Sequence, residues 1–406
     1  MARSVLGSLI LGYRPLWGRG RSLCGIELCI SEADSNIAVD AAHLLRTLQE
    51  IWEPQSPPLL LAPQTRQLLC DLLEHAPPET PWIEVPDDWL GDSSVYQRVL
   101  EAQRRGLKLV WRGDVGRLPD ASLARCFDNS LLSVPPQAAI QALKASPGAS
   151  PILAGQMYEG IASRALMEHC LDEQQAHALI GWPTEDVLYS LRLQTPQPSH
   201  TVIYRLMKAI EAEQSLEAFE DILSEDPLLA YRFMTYTNSA ALGLRTGVDS
   251  LRRGLVMMGY GSLLRWLSTQ LPHASTEINL RPMREALVLR AKLSEQLIDA
   301  GVGIELRREV YLCALFSQID DILGESLDSI LHRIPLSERV FEAAAQGIGP
   351  YAPILQMARA LEDCDAAVVR QLCEDHAMVL EDVNRTVLRV LAAQTMVRTL
   401  SSSSSS

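Results

Sequence analysis

The sequence predicts two folds in series, an α/β barrel followed by an all-α bundle. Three observations carry this reading. The first half alternates short apolar runs with amphipathic patterns, the second half is helical throughout, and the proline-bearing stretch Gln194-Thr195-Pro196-Gln197-Pro198-Ser199 separates them. A length of 406 residues suits two domains, and 47% apolar with 21% charged residues is the composition of a chain that folds.

Eight short runs read as strands: Leu9–Leu11, Leu23–Cys29, Leu59–Ala62, Trp82–Val85, Leu107–Trp111, Leu131–Val134, Pro151–Ala154 and Ala178–Trp182. Helical patterns such as Ala38–Gln49, Thr65–Glu74, Val95–Arg105 and Ile161–Leu171 lie between them. Steady alternation of strand and helix argues for a parallel layout, and eight strands close a barrel. Such barrels typically take ~250 residues, so a shorter half implies that some helices are short or missing. Beyond the linker, Ile203, Leu206, Met207 and Ile210 form one apolar stripe, and Leu216, Phe219, Ile222 and Leu223 form another. Asp226 before Pro227 marks a helix start, a carboxylate N-cap with proline in the first turn. Val383, Val387, Val390 and Leu391 mark a late helix. The expected domains are a barrel at 1–193, a linker at 194–199, a helical domain at 200–396 and a disordered Ser-rich tail at 397–406.

Lys and Arg total 36 against 50 Asp and Glu, for a net charge of −14. Such a surface repels phosphate backbones and anionic lipid, which excludes nucleic acid and membrane as bulk partners. The best basic run, Arg104 to Lys108, is short. The apolar stretch from Met1 to Tyr13 is broken by Arg3, Gly7 and Gly12, and is too short to span a bilayer. Eight cysteines (24, 29, 70, 126, 170, 313, 364 and 373) form no CxxC and have no paired histidines nearby. Neither a zinc module nor a disulfide framework is indicated, and a reduced, cytoplasmic chain is expected. No cofactor is called for, and the oligomeric state stays open.

The residues alone offer no catalytic constellation. Gly18-Arg19-Gly20 lacks the rest of a dinucleotide fingerprint, Gly254 to Gly261 sits in a helical context, and no Gly-x-Ser-x-Gly elbow occurs. The histidines are isolated, and His376 after Glu374-Asp375 reads as a solvated face. Asp320-Asp321, adjacent on a helix, point about 100° apart and read as a helix start or surface charge. Asp87-Asp88 after a strand is similarly ambiguous.

The helical half resembles the HDOD domain, a helical relative of the HD phosphohydrolases that has lost their metal ligands. The resemblance lies in Ile222-Leu223-Ser224-Glu225-Asp226-Pro227, then Tyr236-Thr237-Asn238-Ser239-Ala240, then Gly254 to Gly259 with Met258 in place of a leucine. It implies that Asp226, Pro227, Asn238 and Gly259 specify the fold. Asn238 would close its helix in the left-handed geometry that suits asparagine. An HD enzyme holds metal with a His-Asp pair, and the aligned positions here are Ser317 and Gln318, which cannot replace it. The segment from Leu312 to Leu323 is similar to the HDOD branch that carries a degenerate EAL domain in front.

The first half is correspondingly similar to an eroded EAL domain, the barrel that cleaves cyclic di-GMP with two metals. Gly25-Ile26-Glu27-Leu28 stands where the Glu-Ala-Leu signature belongs, and Gly181-Trp182-Pro183 looks like the closing motif. The resemblance puts Asp87 in place of a metal-binding glutamate, and Trp111 and Arg112 in place of paired aspartates. Two divalent ions about 3.5–4 Å apart need several carboxylates, and Arg112 would place a cation where they belong. The resemblance therefore implies a non-catalytic bacterial signalling protein, a scaffold for a protein partner. The alternatives are a cyclic di-GMP receptor in which Arg112 and Arg104 meet phosphate, and a residual phosphodiesterase using Asp87, Asp114 and Asp320.

Overall fold

In the computed structural model, which describes residues 4–34, 39–146, 148–240, 242, 247–298 and 302–394, eight strands close into a barrel in chain order. They are β1 (Leu9–Trp17), β2 (Leu23–Glu32), β3 (Leu59–Pro63), β4 (Trp82–Pro86), β5 (Leu109–Asp114), β6 (Asn129–Ser133), β7 (Met157–Glu159) and β8 (Ala178–Ile180). The outer helices are α1 (Ala41–Ile51), α2 (Arg66–His75), α3 (Ser93–Arg104), α4 (Ala121–Ala124), α5 (Pro136–Lys144), α6 (Arg164–Glu168) and α7 (Thr184–Leu191). Asp40, Thr65, Asp92, Asp120 and Ser163 cap five of them by accepting first-turn N–H groups. Leu16, Leu60, Val110, Leu131, Met157, Ala178 and Ile180 pack together inside.

Two expectations need correction. The seventh strand is Met157–Glu159, not Pro151–Ala154. Pro151 has no N–H to give a ladder, and the chain turns at Gly155 with φ +74. Nor is the sheet wholly parallel, because β1 runs antiparallel to both β2 and β8. Only Gly18–Ser22 joins β1 to β2, closed by Gly18 N–H to Ser22 O at 3.0 Å and Arg21 N–H to Gly18 O at 2.9 Å. A parallel return needs a dozen residues or more, so the helix missing from the lean barrel is the one between these strands.

The chain divides into two compact units, one running to Asp186 and resuming at Arg359, the other Val187–Ala358. The second holds α8 (His200–Glu211), α9 (Leu216–Ser224), α10 (Pro227–Thr237), α11 (Leu251–Gln270), α12 (Arg281–Leu297), α13 (Ile304–Phe316), α14 (Ile319–Leu323), α15 (Leu327–Leu331) and α16 (Glu338–Phe341). After α17 (Ala352–Glu362) come α18 (Ala366–Asp375) and α19 (Leu380–Ala392). The helical domain expected at 200–396 thus loses its last part to the barrel unit, and the tail at 397–406 lies outside the described residues.

The stretch expected as a linker is pinned inside the helical unit. Arg232 donates to Pro196 O (2.9 Å) and Arg284 to Gln197 O (2.6 Å), while Ser275 N–H donates to Pro198 O (2.8 Å). Asp226 is fully buried here. One of its oxygens caps α10 by accepting Leu229 N–H at 2.9 Å; the other accepts Ser199 N–H at 2.7 Å and lies 3.5 Å from Arg284. Gly259, at φ +68 and ψ 164, breaks α11 in a region of backbone space essentially reserved for glycine. Asn238 is not left-handed, its φ being −98. Its amide instead bonds both sides of the Val248 backbone, donating to O at 2.9 Å and accepting from N–H at 2.7 Å.

The reversed β1 leaves an edge to be covered. It meets β8 only at Leu16 and Trp17, and Asn384 of α19, wholly buried, bonds the free edge. The Asn384 Oδ1 accepts Leu11 N–H at 3.0 Å, and its Nδ2 donates to Leu6 O at 2.7 Å and Leu9 O at 2.8 Å. An amide thus stands in for a neighbouring strand at this edge. Replacing it in Asn384→Leu strands three buried backbone groups, at a cost of about 3 kcal/mol or more. Thermal denaturation should show a midpoint lower by roughly 6–12 °C, and an unchanged midpoint would remove Asn384 from this role.

Candidate functional site

Strand ladders bring five charged side chains together inside the barrel toward the C-terminal ends of its strands. Arg14 on β1 stands in register with Glu27 on β2, Glu27 with Leu60, and Glu84 with Val110. Leu60 and Val110 belong to the interior cluster, so both carboxylates project inward with them. Arg112, two residues beyond Val110, and Glu159, two beyond Met157, share that face.

The two guanidinium groups join three carboxylates. Arg14 grips Glu27 with both Nε and Nη2, the latter at 2.8 Å, and its Nη1 lies 3.5 Å from Glu159. Arg112 donates to Glu84 at 2.9 Å and to Glu159 at 2.7 Å, and stands 3.6 Å from Glu27. Glu27 and Glu84 are buried, whereas the Arg14 and Arg112 side chains are 30% and 27% exposed. Among the described residues the Glu84 Oε2 has no hydrogen-bond partner. Burial, and then the charge of Glu27 beside it, push the Glu84 carboxyl up to about 8 against the pull of Arg112. Burial works against the Arg112 charge too, but Glu84, Glu159 and Glu27 more than compensate and raise its pKa. With every group ionised the cluster carries one net negative charge; with Glu84 protonated it is neutral.

The EAL resemblance implies a pair of divalent metals, and these residues do not fit it. Among the described residues no group of three His, Cys, Asp or Glu side chains is arranged to hold an ion. The guanidinium of Arg112 fills the space between the three carboxylates that could have served.

The structure brings together only part of the expected set. Glu27 and Arg112 stand 3.6 Å apart. Trp111 points the other way and is buried, its indole N–H donating to Asp87 at 3.2 Å, so Asp87 answers to Trp111 and not to Glu27. Arg104 ends α3, and the chain then enters β5 at its opposite end from Arg112, so the two arginines do not share a site. Ser317 turns its hydroxyl back to Ala314 O at 2.9 Å, and Gln318 meets Arg290, so neither forms part of a metal pair. Asp320 and Asp321 occupy the first turn of α14, where acidic residues favour the helix. Arg14, Glu84 and Glu159 were missed. The available signal was a charged residue inside an apolar strand run, as in Ile83-Glu84-Val85, on the phase of the interior residues.

The helical half matches a known family. Residues 196–325 fit the model of the HDOD domain. The chain is 23% identical over 193 residues to the cyclic di-GMP phosphodiesterase CdgJ of Vibrio cholerae, covering 47% of this chain and 44% of that one. It is 22% identical over 163 residues to the uncharacterized protein YuxH of Bacillus subtilis, covering 39% and 40%. The chain thus spans less than half the length of these curated relatives. A solved phosphodiesterase, PaMucR in complex with c-di-GMP, is 13% identical and covers 43% of this chain and 89% of that one, with a TM-score of 0.29. Similarity to a relative named as a phosphodiesterase overturns the expectation that the chain is not an enzyme.

Two outcomes test the cluster. Glu84 holds its proton better folded than unfolded, so its contribution is intact below the ordinary value of 4.5 and lost as the pH rises to about 8. Thermal midpoints measured across that window should decline with pH, and Glu84→Gln should flatten the decline; equal slopes would contradict the assignment. Arg112→Ala leaves the carboxylates without their shared cation and should cost about 3 kcal/mol. Mn²⁺ should restore part of that midpoint in the variant while leaving the parent chain unmoved.

Proposed function

We propose that this chain works in cyclic di-GMP signalling, taking the cyclic dinucleotide at the C-terminal end of its barrel and a protein partner on its HDOD-type half. The observation that carries the reading is the cluster of two part-exposed guanidinium groups, Arg14 and Arg112, at the end of a barrel where ligands of such folds are met. Guanidinium pairs bidentately with phosphate oxygens. Burial and the neighbouring Glu27 favour the protonated form of Glu84, which lowers the cluster's repulsion of an anionic phosphodiester. The relationship to a protein named as a cyclic di-GMP phosphodiesterase supports the choice of ligand. The EAL-like segments at Gly25–Leu28 and Gly181–Pro183 support it as well. For the partner, Val256, Met257 and Tyr260 in α11 are 62%, 53% and 51% exposed within the HDOD match, an apolar group available to another protein.

Calorimetric titration of the full chain with cyclic di-GMP, with and without Mg²⁺, tests the ligand. Binding is expected to weaken as the pH rises through about 8 and to vanish in Arg112→Glu. Chromatography of the same samples then separates a receptor, which leaves the dinucleotide intact, from a phosphodiesterase, which yields its linear product. No heat of binding under either condition would end the reading.

A further inference from the structure

The barrel unit contains a disulfide between Cys29 and Cys364, across 335 residues of sequence, where the cysteine pattern predicts reduced thiols. Its position bears on the charged cluster. In the β1–β2 ladder Arg14 faces Glu27, and the next pair on the same side is Gly12 with Cys29. Cys29 therefore stands about 7 Å beyond Glu27 along the same face of β2. Cys364 lies in the turn between α17 and α18, at φ 55, and presses on that pair. A Cβ added at Gly12 would come within 2.7 Å of the Cys364 Cα and 3.0 Å of Leu361 O, so only glycine admits the turn. The turn is bonded by Cys364 N–H to Leu361 O at 3.4 Å, Asp365 N–H to Ala360 O at 3.0 Å and Ala366 N–H to Cys364 O at 3.2 Å, with the Asp365 carboxylate capping α18. By contrast α19 is held independently through Asn384.

We propose that Cys29–Cys364 is a redox-sensitive clasp that fixes the α17–α18 turn at the rim of the Arg14–Glu27–Arg112 cluster and so sets access to it. Cys29 is buried and Cys364 is half-buried, so a small thiol enters at the Cys364 sulfur. A dithiol such as dithiothreitol attacks there, releases the Cys29 thiolate and departs as its cyclic disulfide, leaving two protein thiols. Oxidised glutathione runs the reverse: two protein thiols become one disulfide and two molecules of reduced glutathione are released. The proposal holds whether or not a dinucleotide binds at the cluster.

The full chain, treated with oxidised glutathione or with dithiothreitol, is compared by mass spectrometry without ligand. The oxidised form should yield a linked peptide pair containing Cys29 and Cys364. Amide exchange at Cys364 and Asp365 should quicken about tenfold on reduction, while Leu11, bonded to Asn384, keeps its protection. Phenylglyoxal should modify Arg14 faster in the reduced chain. Cys364→Ser should match the reduced form and ignore both reagents. Alkylation of both cysteines in glutathione-treated protein would overturn the proposal. So would a linked pair whose reduction changes neither the exchange nor the Arg14 modification.

Discussion

The five-residue connection Gly18–Ser22 is the constraint on which the barrel unit depends. It is too short to carry a helix, so β1 must fold back antiparallel on β2. The reversal sets Arg14 opposite Glu27, which supplies the cluster with its second cation. It also leaves the Leu9–Leu11 edge unpaired by β8, and that edge is what α19 covers through Asn384. The chain's return to the barrel after Arg359 follows from this need. Cys364 arrives beside Cys29 as part of the same return.

Charge balance explains why the interior tolerates so many ionisable groups. Three carboxylates in a low-dielectric barrel would repel one another strongly. Arg112 relieves that by lying among all three, and Arg14 by holding Glu27 at two points. The remaining excess settles on Glu84, whose spare oxygen lacks a donor among the described residues and whose carboxyl keeps its proton to higher pH. A buried ionic network of this kind is weak evidence for stability and better evidence for a specified site.

In the helical unit Asp226 plays a comparable organising part. One carboxylate caps α10, takes the backbone of Ser199 and faces Arg284, which itself holds Gln197. The segment that reads as a linker is thereby built into the fold. Gly254 completes the packing, since a Cβ there would come within 2.6 Å of Phe233 on α10.

Much of this was legible from local pattern: seven of the strands in position, the helix start at Asp226-Pro227, and the HDOD likeness that a family model bears out for residues 196–325. Period, capping and turn chemistry act over a few residues, so a linear reading captures them. Glu27, Asp87 and Arg112 were singled out by the EAL resemblance, and Glu84 was passed over because which side of a strand faces inward is settled by its neighbours' packing. The convergence of Arg14, Glu84 and Glu159 on one site and the pairing of Cys29 with Cys364 were out of reach, as was the loss of the last helices to the barrel. Each depends on which distant residues a closed sheet brings face to face. The sequence by itself therefore determined the elements and the class of each half; only the tertiary structure decided which charges share the barrel's interior, because burial and charge pairing exist only once the strands have closed around them.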